Sequence, residues 1–336
     1  MTENNEDHPL VTYALIAYNQ ERFVREAVEG AMAQTYSPMQ LILSDDCSSD
    51  RTFKIMQEMV EDYSGPHEIL LNCNESNLGI GAHINRVMEL AEGELIVGGA
   101  GDDVSLPNRV TDTVYEWIKE GKPHASIFSS YLEIDAESNL VGEKKYSPNM
   151  VRNLQNSNKV VRHGYGVLGA THAWSKTLFS YFGPINNDII NEDTVIPLRA
   201  ALIGKIVYID KYLVKYRINV STWHDHKGIP ESLEEQLRRV RKLTTLNYAV
   251  VMQMLRDIAL TDRKDLIFCA QARLAESMLA LKIVENDRVT FSDFVCALGA
   301  GANLGYSIRI CMKCFFPRIF WWYTRRRLLM GSSELL

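Results

Sequence analysis

The fold is decided by the stretch Glu94-Leu95-Ile96-Val97-Gly98-Gly99-Ala100-Gly101-Asp102-Asp103. Its apolar start predicts a strand, and its glycines and two adjacent carboxylates follow where that strand ends. Open α/β folds bind ligands at the carboxyl edge of the sheet, so this edge would carry negative charge. We interpret the stretch as a site for a metal ion and a diphosphate. An ordinary turn is the alternative, because Gly permits positive φ and Asp bonds to its own backbone.

Apolar β-rich runs recur on both sides of this stretch. They predict strands at 10–17, 40–44, 68–71, 94–97, 125–131 and 204–209. Helical spacing of apolar residues fills most of the intervals, including a helix from Pro107 to Glu120. The alternation predicts the α/β class, with a mostly parallel sheet covered by helices on both faces. Two further expectations are a mobile polar loop from Glu137 to Arg162 and a helix from Trp174 to Phe182.

The composition changes after Pro230. Apolar residues keep helical spacing from Leu233 to Ile258 and again from Leu266 to Leu281, which predicts two long helices that pack together. We therefore place a domain boundary near residue 228.

Charge and cysteine usage exclude several classes of protein. The net charge of −6 over 336 residues argues against nucleic-acid binding, which needs a basic surface. Residues 301–330 nevertheless hold six basic and no acidic side chains, so this tail is expected to bind an anionic partner.

The acidic start at 1–9 lacks the pattern of a signal peptide, and six scattered cysteines fit reduced thiols. The expected location is the cytoplasm.

An ordered set of short motifs resembles glycosyltransferase family 2. The motifs are Ala17-Tyr18-Asn19-Gln20-Glu21, Gln34-Thr35-Tyr36, Asp45-Asp46-Cys47-Ser48-Ser49-Asp50, Asn77-Leu78-Gly79, Gly101-Asp102-Asp103 with Pro107-Asn108-Arg109, Glu192-Asp193 and Gly204-Lys205-Ile206. The resemblance covers roughly residues 10–222. It implies a GT-A fold and an inverting sugar transfer from a nucleotide-diphosphate sugar. The predicted domains are then 1–228, for donor binding and catalysis, and 229–336, a helical region with a basic aromatic tail.

The resemblance implies a set of donor-binding residues. They are Ala17, Asn19, Glu21, Asp45, Asp46, Ser48, Asn77 and Asp102. Independently of the family, Asp45 and Asp46 follow a predicted strand, where carboxylates can accept hydrogen bonds from a base and a ribose. A turn with a helix cap is the alternative for this segment.

Asp102 and Asp103 offer the hard oxygen ligands that Mg²⁺ or Mn²⁺ prefers. The usual D-x-D pattern of the family has its first Asp where this chain has Ala100, so Asp102 must carry most of the metal binding. Family members often add a His after a tyrosine-arginine pair, but here Ile218 and Asn219 follow that pair. His224 is the candidate third ligand, with His226 or a plain surface histidine pair as alternatives.

By resemblance, Asp193 is the general base that takes the acceptor proton, and Glu192 beside it binds acceptor. Trp174 and His172 are further candidate acceptor contacts. The alternatives are that Glu192 and Asp193 only cap a helix whose dipole favours acids, and that Trp174 belongs to the core.

Other functions fit the sequence less well. A sugar nucleotidyltransferase needs a glycine-rich basic loop after the first strand, and Ala17-Tyr18-Asn19-Gln20 has none. A dinucleotide-binding oxidoreductase needs G-x-G-x-x-G, which Gly79-Ile80-Gly81 does not complete. A catalytically inactive nucleotide-sugar-binding or scaffold protein stays open because of Ala100 and the missing His.

The tail joins an aromatic run, Phe320 to Tyr323, to three arginines, Arg325 to Arg327. Interior charges and Pro317 argue against a membrane span, whereas an interfacial segment on an anionic leaflet tolerates both. We therefore expect a peripheral protein on the inner face of the plasma membrane. Its acceptor would be a glycan or lipid-linked oligosaccharide of a bacterial surface polysaccharide such as O-antigen. A helix packed on the protein is the alternative.

Overall fold

A computed structural model describes residues 8–218, 220, 232–285, 290–315 and 318–319. The chain divides into two compact units, Met1–Ser221 and Thr222–Leu336.

The first unit alternates strands and helices. Its strands are β1 Val11–Ala17, β2 Met39–Asp45, β3 Glu68–Cys73, β4 Leu95–Ala100, β5 Val104–Ser105, β6 Ala125–Ile134, β7 Leu140–Lys144, β8 Ala173–Ser175 and β9 Lys205–Arg217. Its helices are α1 Val24–Met32, α2 Thr52–Glu61, α3 Ile80–Leu90, α4 Arg109–Lys119, α5 Pro148–Leu154, α6 Ser157–His163, α7 Thr177–Phe182 and α8 Glu192–Ile203. The predicted α/β class is confirmed.

Within residues 8–218 the strands form one sheet in the order β3-β2-β1-β4-β8-β6-β9-β5, with β7 paired to β6. The pairs β1–β2, β2–β3, β1–β4 and β6–β9 are parallel, and β8 lies antiparallel between β4 and β6. Every residue of β2 is buried, as expected where helices cover both faces of a parallel sheet. The amphipathic helix α1 buries Val24, Ala27, Val28 and Ala31 in this core.

This topology brings functional loops together. Strands β1, β2 and β4 are parallel neighbours, so the segments after Ala17, Asp45 and Ala100 leave the sheet at the same edge. The register pairs Ala17 with Asp45 and Ile16 with Ala100.

Two local predictions were wrong. The segment expected to be a loop, 137–162, contains β7 and α5 and enters α6. Ser147 and Asn156 cap these two helices by accepting backbone N–H groups, which supplies the helix starts that the polar composition hid. Trp174 lies in β8 rather than in a helix, because its segment pairs with β4 and β6 before α7 begins at Thr177.

The second unit is helical, with α9 Leu233–Ala259, α10 Ile267–Val284, α11 Phe291–Gly299 and α12 Leu304–Phe315. The two long helices predicted here are confirmed as α9 and α10. Ser232 caps α9, and a capping box of Thr290 and Asp293 starts α11. Among the described helices, none combines the length and the hydropathy that crossing a bilayer requires.

Candidate active site

Asp102 and Asp103 follow β4 in a loop held close to β1. The Gly101 N–H donates to the Ile16 carbonyl at 3.0 Å. A Cβ on Gly101 would lie 2.7 Å from the Ala17 Cβ and 2.4 Å from Gln20 Oε1, so only glycine fits here. The close approach places the two carboxylates at the sheet edge, where they are 9% and 6% exposed.

The fully buried Arg217, the last residue of β9, ties this loop together. Its backbone N–H donates to Asp103 Oδ1 at 2.7 Å, and its Nε donates to the Asp102 carbonyl at 3.0 Å. Its Nη2 pairs with Glu26 Oε2 of α1 at 3.1 Å, and its guanidinium lies 4.7 Å from the centre of the Phe23 ring. The planar guanidinium thus links the acidic loop, through Nε, to α1, through Nη2, while Nη1 donates to the Asp135 carbonyl and to Ser138 Oγ.

Burial raises the pKa of Asp102, although a hydrogen bond from Gln20 and the Arg217 charge oppose it. Burial and then the Asp102 charge raise the pKa of Asp103 well above its usual value, against the Arg217 N–H and the Arg109 charge. Two adjacent buried carboxylates therefore leave negative charge that a divalent cation would offset.

The donor set is compatible with Mg²⁺ or Mn²⁺ on a diphosphate. Among the described residues no group of three or more His, Cys, Asp and Glu side chains forms a metal cluster. Mg²⁺ is commonly held by one or two carboxylates together with substrate phosphates and water, which is what Asp102 and Asp103 can supply. The candidate third ligand, His224, lies outside the described residues.

The segments after β1 and β2 are joined by a lattice of hydrogen bonds. The Asn19 N–H donates to Ser48 Oγ at 2.8 Å, and Asn19 Oδ1 accepts from the Ser49 N–H at 2.9 Å. Glu21 exchanges bonds with the other segment, donating from its N–H to Asp50 and accepting from the Arg51 N–H. The structure therefore brings Asn19, Glu21 and Ser48 together at the sheet edge.

Asp45 and Asp46, predicted as donor-binding residues with a turn and helix cap as the alternative, accept several hydrogen bonds within the protein. Asp45 accepts from the Ser48 N–H at 2.8 Å and its hydroxyl at 2.5 Å. Asp46 accepts from Asn74 Nδ2 and from the N–H groups of Leu78 and Gly79, at 2.8 to 2.9 Å. Both side chains are buried, and these contacts shape the loop after β2. This is the role that the turn alternative predicted.

The remaining predicted donor-binding residues, Ala17 and Asn77, differ in their exposure to solvent. Ala17 is buried against the Gly101 loop. Asn77 is exposed, and its Oδ1 accepts from the Gly79 N–H at 2.9 Å.

Glu192 and Asp193 begin α8, where their charges suit the helix dipole. The Val167 N–H donates to the Asp193 carbonyl at 3.0 Å, so the loop 166–169 crosses the start of this helix. A Cβ on Gly169 would lie 3.0 Å from Glu192 Oε1. Gly169 thus lets the backbone approach the Glu192 carboxylate closely, and Gly166 lets it approach the Asp193 backbone carbonyl.

Burial and then the Asp193 charge raise the pKa of Glu192 to about 8. Burial raises the pKa of Asp193 to about 6, although hydrogen bonds from Thr194 and its own backbone oppose the shift. The pair therefore titrates as a unit that retains one proton near neutral pH. In that state Asp193 is the carboxylate that can accept a proton.

Trp174 and His172, predicted as acceptor contacts, are 3% and 1% exposed. Trp174 Nε1 donates to Met88 Sδ, and His172 Nε2 lies 2.8 Å from Ser126 Oγ. Burial and the Arg109 charge lower the pKa of His172 to about 3, so it stays neutral. In this structure both residues lie beneath the surface and leave no face open to an acceptor.

Sequence reasoning missed the role of Arg217. Arg217 belongs to the tyrosine-arginine pair after which family members often carry a histidine ligand. The prediction concerned that histidine and gave the arginine itself no role. A lone arginine at the end of a strand rich in lysine gives no sign that it is buried.

A sequence model of glycosyl transferase family 2 matches residues 13–173. Among curated relatives, the chain is 35% identical over 106 residues to the putative glycosyltransferase EpsE of Bacillus subtilis, covering 32% of this chain and 37% of EpsE. The chain spans less than half the length of the curated relatives that it matches.

Solved structures share the fold at low identity. TarS 1–349 of S. aureus in complex with UDP matches with a TM-score of 0.54 and 16% identity, over 97% of this chain and 93% of that one. The mannosyltransferase PcManGT of Pyrobaculum calidifontis, in complex with GDP-Man and Mn²⁺, matches with a TM-score of 0.52 and 15% identity, over 92% and 88%. The expected GT-A fold is confirmed, and residues 13–173 are the part of the chain that matches glycosyl transferase family 2.

Proposed function

We propose that the protein is an inverting glycosyltransferase that moves a sugar from a nucleotide-diphosphate sugar to a hydroxyl group of a glycan acceptor. The observation that carries the proposal is the Glu192–Asp193 pair, because it supplies an ionised carboxylate with a pKa of about 6 at a glycine-lined loop. Such a base is well matched to proton removal near neutral pH.

In the proposed reaction the acceptor oxygen attacks the anomeric carbon on the face opposite the diphosphate. The hydroxyl proton passes to the Asp193 carboxylate as the new carbon–oxygen bond forms. The bond from the anomeric carbon to the diphosphate oxygen breaks, and the nucleoside diphosphate leaves with the electron pair. A divalent cation held by Asp102 and Asp103 would neutralise charge on that leaving group. Arg217 keeps both aspartates in place.

The donor side is proposed from the lattice around Asn19, Glu21 and Ser48, together with Ala17 and Asn77. Support comes from the position of Ala17, Asn19, Glu21 and Ser48 at the edge where β1 and β2 end, since open sheets bind nucleotides there. GDP-Man is bound by PcManGT and UDP by TarS, which makes a nucleotide the class of donor to test first.

The proposed acceptor is a glycan or lipid-linked oligosaccharide of a surface polysaccharide, met at an anionic membrane on its cytoplasmic side. Leu304 and Ile308 support this, since they lie one turn apart in α12 and are 53% and 48% exposed. Arg309 beside them is exposed as well. The aromatic and arginine-rich stretch that motivates the idea lies outside the described residues.

The experiment has two stages. UDP-, GDP- and dTDP-sugars with Mn²⁺ are screened by thermal shift, since a ligand at 100 times its Kd stabilises by about 2.7 kcal/mol. Turnover of the best donor is then compared between wild type and Asp193→Asn, which we expect to be slower by roughly 10²–10⁴-fold with donor affinity unchanged. Asp188→Asn, at an exposed position just before α8, is the matched control.

Equal loss of donor binding in Asp193→Asn would make this residue a structural cap. Donor binding by wild type without transfer or hydrolysis would favour the inactive scaffold that Ala100 suggests.

A further inference from the structure

Three half-buried tyrosines, Tyr216, Tyr131 and Tyr146, lie on segments that contact the Asp102–Asp103 loop at one end and the Asp193 loop at the other, and we call them the tyrosine row. Tyr216 precedes Arg217, whose N–H binds Asp103. The rings of Tyr216 and Tyr131 are 5.5 Å apart and nearly perpendicular. The row therefore starts at the Asp102–Asp103 loop.

The other end of the row reaches the Asp193 loop. The Leu168 N–H donates to the Tyr146 hydroxyl at 3.1 Å, and Leu168 belongs to the loop that crosses Asp193. The Tyr146 ring packs edge-on against Phe128, with centres 4.7 Å apart. The Tyr146 oxygen accepts this hydrogen bond, so its O–H remains a donor for a ligand.

Charges agree with this arrangement. Burial and the Asp103 and Asp102 charges raise the pKa of Tyr216. Burial, with contributions from Tyr131 and Asp193, raises the pKa of Tyr146 to about 12. Tyr131 lies opposite Lys144 in the β6–β7 pairing, two residues before Tyr146, and its ring contacts that of Tyr216. All three phenols stay protonated at neutral pH and remain hydrogen-bond donors.

We propose that the tyrosine row binds a pyranose ring of the acceptor and sets its hydroxyl against Asp193. A pyranose has an apolar C–H face and a rim of hydroxyls, and a partly exposed tyrosine offers an apolar ring with a polar tip. The position of the row, between the donor phosphates and the base of the proposed transfer, is where an acceptor must lie. This inference rests on the proposed function for its reaction, but the binding itself can be measured without a donor.

The test uses Tyr131→Leu, which removes the ring and phenol while keeping an apolar side chain in β6. Tyr115→Leu on α4, at a 62% exposed tyrosine, is the control. Binding of a panel of methyl pyranosides to the full chain is measured by saturation-transfer NMR with no donor present. We expect Tyr131→Leu to weaken binding about tenfold, a change of about 1.4 kcal/mol, and the control to leave it unchanged.

A second readout separates binding from chemistry. With an active donor, Tyr131→Leu should raise the acceptor KM about tenfold, whereas the control Tyr115→Leu should leave the acceptor KM and the rate of donor hydrolysis unchanged. Tyr146→Phe, which keeps the ring, should lower acceptor turnover more than it raises KM. Glycoside binding that is absent in wild type, or equal in wild type and Tyr131→Leu, overturns the tyrosine row. Glycoside binding that depends on Tyr131, in a protein that binds no donor, overturns the proposed function and leaves the row standing.

Discussion

Replacing Glu192 by glutamine should stabilise the protein at high pH. In the folded state the pKa of Glu192 is raised from 4.5 to about 8, chiefly by burial and next by Asp193. A carboxyl group with a raised folded pKa favours folding while it is protonated. That contribution is complete below pH 4.5 and is lost as the pH rises through 8. Glutamine is neutral at every pH, so Glu192→Gln keeps the contribution that wild type loses.

The change in the free energy of unfolding follows from the shift in the pKa of Glu192. Each pKa unit corresponds to about 1.36 kcal/mol, so three to four units set an upper limit of roughly 4–5 kcal/mol. Glu192 is only partly buried and shares its titration with Asp193, so solvent screening reduces this to about 2 kcal/mol. For a unit of this length, such a difference raises Tm by roughly 4–8 °C.

The assay is the Tm of full-length wild type and Glu192→Gln, measured by differential scanning fluorimetry from pH 5 to pH 9. The difference between the two proteins should grow as the pH rises, in favour of the variant. Glu75→Gln, at an exposed glutamate outside α8, should show a constant difference. In an Asp193→Asn background the effect should shrink but persist, since burial is the larger cause.

A Tm difference that does not change with pH would refute the reasoning. So would a variant that is less stable than wild type at pH 9, because Glu192 would then be an ionised carboxylate held by favourable contacts. Either result would also remove the argument that Asp193 alone accepts the acceptor proton near neutral pH.

Two further predictions concern the metal and the tail. Asp102→Asn should abolish Mn²⁺-dependent donor binding in calorimetric titrations with little change in Tm, and unchanged metal-dependent affinity would remove Asp102 from the site. Full-length protein should co-sediment with anionic liposomes in a salt-sensitive way, whereas a chain ending near Asn303 should not. Equal sedimentation of the two proteins would contradict membrane binding by the tail.

The first half of the sheet could be predicted from sequence because each strand there is a short apolar run between polar turns. Burial on both faces makes such runs continuous, so β1, β2 and β4 could be located without knowledge of their neighbours. The loops after these strands were predictable for the same reason, since parallel neighbours deliver their carboxyl ends to one edge.

In the second half of the sheet, β6 and the start of β9 were predicted, but β7, β8 and the end of β9 were not, because these segments show no clear alternation of apolar and polar residues. β8 has three residues, too few to show alternation. The 13-residue β9 pairs with β6 through two register shifts, at Ser129/Ser130 and Ser130/Tyr131. Such shifts break the two-residue period, so only the first half of β9 could be recognised. Tyr208, Tyr212 and Tyr216 are spaced by four residues, which fits a helix as well as one face of a strand.

Asp102–Asp103 is a buried pair of adjacent acids and Glu192–Asp193 is a half-buried pair, and their surroundings favour different ways of relieving the repulsion between the two carboxylates. Asp103 already has the Arg217 N–H and the Arg109 charge against it, and its pKa is still raised, so a further cation is what would ionise both members of that pair. At Glu192 the opposing contacts are backbone N–H groups, and a bound proton relieves the repulsion instead. A glycosyltransferase must hold a diphosphate at one place and remove a proton at another. Two pairs of carboxylates in different surroundings allow one fold to do both.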